Sequence, residues 1–166
     1  MNPADLPRQL KDARQLARLR QLRERTALAA LREAERACAQ AQEAIDNRKA
    51  VFARLQRERD ALGQRIVNDC VPEMGRLAAY AGAAVEALDD QIERTEYALM
   101  DDEDALAQAQ EKQAQAHQAW QRAVAATGAA NTLVDDTRKA QRQVQETMQE
   151  REAEDTARPA HARIIS

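Results

Sequence analysis

Residues 88–148 read LDDQIERTEYALMDDEDALAQAQEKQAQAHQAWQRAVAATGAANTLVDDTRKAQRQVQETM, and this stretch decides the fold. Leu88, Ile92, Thr95, Leu99, Asp102, Leu106, Ala109, Gln113, Ala116, Trp120, Ala123, Thr127, Ala130, Val134, Thr137, Gln141, Val144 and Met148 alternate four and three residues apart without a slip. That spacing draws a single stripe along one side of a helix. Held strictly at seven residues, it winds the helix left-handedly around a partner. One column is Ile92, Leu99, Leu106, Gln113, Trp120, Thr127, Val134, Gln141 and Met148. The other is alanine from Ala109 through Ala130. Alanine buries little area, so it stabilises chiefly by letting two helices approach closely.

A partner stripe lies upstream. Cys38, Ala41, Ile45, Arg48, Phe52, Leu55, Arg59, Leu62 and Ile66 alternate three and four, with two arginines interrupting an otherwise small or apolar seam. Leu10, Ala13, Ala17, Ala27, Leu31 and Ala34 roughly extend it toward the N-terminus, where Leu16, Leu19 and Leu22 broaden the stripe. Pro7 suits a first helical turn, and no proline follows until Pro72. Between Gly63 and Gly75 lie Asn68, Asp69 and Pro72, and Pro72 pushes Val71 away from helical angles. Gly128 is the best internal break of the second helix, but the heptad phase continues through it. After Asp155 periodicity stops.

The expected fold is therefore all-α, a long two-helix antiparallel coiled-coil hairpin. Its parts are an N-terminal arm at 1–7, a helix at about 8–66, a turn at about 67–72, a helix at about 73–155 and a disordered tail at 156–166. A turn centred near residue 70 brings together positions whose numbers add to about 141. On that register Asp102 lies opposite about residue 39, away from Arg48, and Asp102→Leu is expected to raise the melting temperature. The segment from Val134 to Asp155 then overhangs the N-terminus.

Composition agrees. Aromatics are 2% of the 166 residues while charged residues are 32%, so large side chains cannot supply a compact core and long solvated helices can. The net charge of −3 gives no global drive toward nucleic acid or anionic membrane. No apolar run approaches the length needed to span a bilayer. The opening residues lack a basic region followed by an apolar one, so no Sec-type signal peptide is read there and the expected address is the cytoplasm. Cys38 and Cys70 are read as reduced thiols. No nucleophile–base pair, phosphate-cradling glycine loop or metal-ligand cluster is visible, so neither enzyme activity, cofactor nor metal is expected. His117 reads as a solvated helix-face residue and Trp120 as a seam residue.

Charge is uneven along the chain. Residues 8–36 are rich in arginine, and residues 86–104 carry Glu86, Asp89, Asp90, Glu93, Glu96, Asp101, Asp102, Glu103 and Asp104 against Arg94 alone. On the expected register these blocks do not face each other. Each reads either as a solvated face or, for the basic end, as a surface for an acidic partner. No aromatic stacking residues accompany the arginines, which disfavours nucleic acid. The candidate partner-binding residues are Arg14, Arg18, Arg20, Arg23 and Arg25 with Val144 and Met148 on the overhang.

The opening Leu16-Ala17-Arg18-Leu19-Arg20-Gln21-Leu22-Arg23-Glu24-Arg25 is followed by alanines at near-heptad spacing, a mid-chain break, a second alanine-rich helix and a closing Gln149-Glu150-Arg151-Glu152-Ala153-Glu154-Asp155. This order, over about 8–155, resembles the FliJ/YscO-like stalk proteins of flagellar and virulence type III secretion systems. The resemblance implies a bacterial cytoplasmic hairpin, peripheral to a membrane-bound apparatus. Its terminal half would insert into a hexameric secretion ATPase and its turn-proximal half would face the export gate protein and escorted secretion chaperones. By matching position, Arg20, Arg23 and Arg25 fall at the ATPase-proximal end. Two other readings compete: a self-associating structural coiled coil, in which the helices open and pair between chains, and a holdase-type chaperone.

Overall fold

The computed structural model describes residues 5–68 and 75–161, with backbone alone at 75–78 and 157–161. Two helices account for nearly all of it: α1, Leu6–Asn68, and α2, Gly75–His161. They pack against each other, so the fold is the all-α helical hairpin that the two stripes require. Asp5 stands immediately before α1 and Pro7 lies in its first turn, where an acidic residue and a missing N–H are both favourable. Val67 and Asn68 are the end of α1, and the rest of the expected turn, 69–72, lies outside the described residues. Of the tail expected to be disordered at 156–166, residues 156–161 instead continue α2, and 162–166 lie outside the described residues. Heptad spacing ends near Asp155, but a helix already formed over 145–155, where Gln, Glu, Arg and Ala favour it, propagates at little cost without a seam.

The second-helix stripe is present residue for residue. From Leu88 to Val144 every position of it is buried or half-buried, and only Met148 at its end is exposed. In α1 the stripe is more regular than expected. Arg20 and Glu24 are half-buried, and they close the gap between Ala17 and Ala27. The heptad thus runs from Leu6 to Ile66 without a slip. Leu16, Leu19 and Leu22, which had broadened the stripe, stand outside it, at 38%, 57% and 57% exposure.

Contacts divide the chain into two units, Met1–Ala30 with His117–Ser166, and Leu31–Ala116. In the first, Leu10, Ala13, Ala17, Ala130 and Val134 form a buried cluster. Seam phase puts Ala13 level with Val134, Ala17 with Ala130, and Ala27 with Trp120, so alanines make room for Val134 and Trp120 and two alanines meet between them. Trp120 is half-buried, its ring 5.9 Å from that of His117 at 56°. In the second unit Leu31, Ile45 and Leu55 are the buried residues of α1. Here Arg48 donates to Asp102 at 2.8 Å and Arg59 donates to Asp89 at 2.9 Å.

These pairs correct the register. Residues face each other when their numbers add to about 147, not 141. Arg48 lies level with Leu99 and reaches along the helix to Asp102, which therefore has the partner that the earlier register denied it. Every one-residue error in the turn centre moves the facing residue by two, so an error of about three residues displaced the register by nearly a heptad. Val134, expected to overhang, is instead 8% exposed within the Leu10 cluster. The unpaired part of α2 begins beyond Val144, and residues 145–156 are exposed throughout.

Seam polarity is handled locally as well. Thr95, Thr127 and Thr137 donate their hydroxyls to the carbonyl oxygens of Gln91, Ala123 and Leu133 at 2.7, 3.0 and 2.7 Å. Each hydroxyl is satisfied on its own helix, which leaves the methyl group for the seam. Thr127 is consequently buried at 7% exposure.

Candidate functional site

In the first unit, a small-residue seam lowers the flank of the helix pair. Ala13, Ala17 and Ala130 are nearly fully buried there, and long side chains rise around them. The result is a groove of about 670 Å³ lined by Arg14, Ala17, Arg18 and Gln21 of α1 and Asn131, Val134, Asp135 and Arg138 of α2. Arg14 and Arg18 share a face because they are one helical turn apart, and Asn131, Asp135 and Arg138 share another for the same reason. Arg14, Arg18 and Arg138 bring three guanidinium groups against the single carboxylate of Asp135, which lies 3.6 Å from Arg138. Among the described residues no carboxylate forms an ion pair with Arg14 or Arg18. The floor of Ala17 and Val134 is apolar. Such a groove suits a carboxylate carried on a short apolar stem, because a guanidinium offers two parallel donors to a carboxylate.

The other candidates fall in different places. Arg20 is half-buried on the seam, level with Thr127, and does not line the groove. Arg23 and Arg25 are exposed and do not line the groove. Val144 is half-buried, so Met148, 55% exposed, is the one apolar member of the named pair that an approaching partner meets. Sequence reasoning missed Gln21, Asn131, Asp135 and Arg138. Their signal was available: Arg138 lies one turn beyond Val134, and only the register of about 141 had placed both past the end of α1.

The charged seam residues of the second unit serve a different purpose. The hydrogen bond to Asp102, and then its charge, raises the Arg48 pKa above its ordinary value; Asp89 does the same for Arg59. An arginine is charged at any physiological pH, and here the charge has a carboxylate to face across the seam. Cys38 is a free thiol, half-buried on the seam, and Cys70 lies outside the described residues. Among the described residues no group of three His, Cys, Asp or Glu side chains is placed to hold a metal ion. No described helix is long and apolar enough to cross a membrane.

No family model, curated protein or solved structure matches this chain.

Proposed function

We propose that this chain is a non-enzymatic coiled-coil stalk of a bacterial type III protein secretion system. Its terminal unit docks into the central pore of the secretion ATPase, and the protein links that ATPase to the export gate from the cytoplasmic side. The observation that carries the reading is the groove in the unit holding both chain ends, where Arg14, Arg18 and Arg138 stand over an apolar floor without neutralising carboxylates beyond Asp135. A stalk needs a surface that an acidic, partly apolar lining can grip. Charge then speeds encounter and weakens with salt, while apolar contact sets residence time. The order of sequence features resembling FliJ/YscO-like stalks supplies the identity of the partner.

The test is stimulation of a type III secretion ATPase by the full chain and by a variant with Arg14, Arg18 and Arg138 changed to Glu. Circular dichroism checks that the variant remains helical. Wild-type protein is expected to bind the hexamer and raise its turnover, and the variant to lose most of that effect. Equal stimulation by both would move the docking site away from the groove. Failure of the wild type to bind any such ATPase would remove the secretion reading.

A further inference from the structure

The outer faces of the two helices, away from the seam, are not uniformly polar. On α1, Leu19 and Leu22 are each 57% exposed and lie one turn apart. Arg8, Lys11, Arg25 and Arg32 stand on the same outward side, against the acids Asp12 and Glu33. On α2, Tyr97 and Met100 are 62% and 61% exposed at the same spacing. Around them on the outward side are Asp90, Glu93, Asp101 and Asp104, with Arg94 the one base. All these charged residues are exposed, and among the described residues none of them forms an ion pair. Outer heptad positions ordinarily carry polar side chains, since they face water in an isolated hairpin. Each patch thus has an apolar pair at one-turn spacing, and the surrounding charges have opposite sign.

We infer that the chain associates with a second copy of itself, the Leu19–Leu22 face of α1 in one copy docking on the Tyr97–Met100 face of α2 in the other. The occupant follows from complementarity: a basic helix face with two leucines meets an acidic helix face with a tyrosine and a methionine, and one chain carries both. The contact joins unlike patches, so a single contact leaves each copy with one face for a further partner. Two exposed apolar residues per side make a small interface, below the roughly 1,200 Å² of stable complexes, so the association is weak and reversible. Opposite charges around it make the encounter salt-dependent. The inference stands apart from the secretion reading, because these residues are not those of the Arg14–Arg18–Arg138 groove.

Sedimentation velocity of the full chain tests it at about 100 µM protein, in low salt and in about 0.5 M salt. Two variants accompany the wild type: Leu19→Asp with Leu22→Asp, and Tyr97→Lys with Met100→Lys. All four positions are exposed, so the hairpin is expected to keep its helicity by circular dichroism. The wild type should associate in low salt, with affinity falling about tenfold or more at high salt. Each variant alone should remain monomeric. An equimolar mixture of the two should associate again, since each supplies the face that the other lacks. A wild type that stays monomeric in low salt overturns the inference. So does association that persists in either variant alone, or a mixture that stays monomeric.

Discussion

Asp102 is a carboxylate on a hydrophobic seam, with its side chain 19% exposed, and its cost is offset by Arg48 reaching along the partner helix. Such pairs do more for register than for stability. Registers offset by a heptad keep many large-against-small layers, but they separate Arg48 from Asp102 and Arg59 from Asp89. Changing Asp102 to Leu, expected from the unpaired register to stabilise, is now expected to lower the melting temperature by several degrees, because Arg48 loses its partner. The double change Arg48→Met with Asp102→Leu should recover most or all of the loss, since two apolar residues replace two charges. Thermal melts of the two single variants and the double variant give the coupling directly. A double variant as unstable as Asp102→Leu would show that the ion pair is not what the seam relies on. Gly128 belongs to the same scale. It is helical, its φ is not positive, and a Cβ there meets nothing within 4 Å. Gly128→Ala should therefore stabilise the protein by up to about 1 kcal/mol, measured by urea unfolding. Destabilisation would mean that the glycine is needed for a bend.

At the scale of the element, each helix has a different logic. The α2 seam mixes large apolar residues with alanine and threonine, and its threonine hydroxyls bond back to their own helix. The α1 seam sets four charged residues, Arg20, Glu24, Arg48 and Arg59, among alanines and larger apolar side chains. Residues 145–156 of α2 are exposed throughout and have no seam partner among the described residues. Ending the chain after Val144 should leave the melting temperature nearly unchanged. Ending it after Leu133 removes Val134 from the cluster with Leu10, Ala13 and Ala17 and should lower it by several degrees. Equal melting of the two truncations would contradict the buried role of Val134.

For the molecule as a whole, the decisive question is whether α1 and α2 of one chain pair with each other at the corrected register. With Cys38 and Cys70 changed to Ser, cysteines at Ala13 and Val134 probe one unit, and cysteines at Ala41 and Leu106 probe the other. Both pairs should crosslink within a chain and migrate as monomers on a denaturing gel. A pair at 45 and 96, suited to the register of about 141, should crosslink far less efficiently. Products found only between chains would mean that the helices open and pair between copies.

The sequence by itself determined the fold class and the seam. A seven-residue repeat from Leu88 to Val144 is geometric information, because each position's side is set by helical periodicity alone and needs no knowledge of the partner. The same periodicity identified Ile45, Leu55 and Ala130 as core, all of which are buried. It also placed Arg14 and Arg18 on the surface, and so one side of the candidate groove was legible. Only the tertiary structure decided which residue faces which. Two seams with the same repeat can slide by a heptad at little apolar cost, and the selection falls to long polar side chains, Arg48 to Asp102 and Arg59 to Asp89, whose reach crosses layers. That choice of register buried Val134 and brought Arg138 beside Arg14 and Arg18, so the groove exists only once α1 and α2 are aligned.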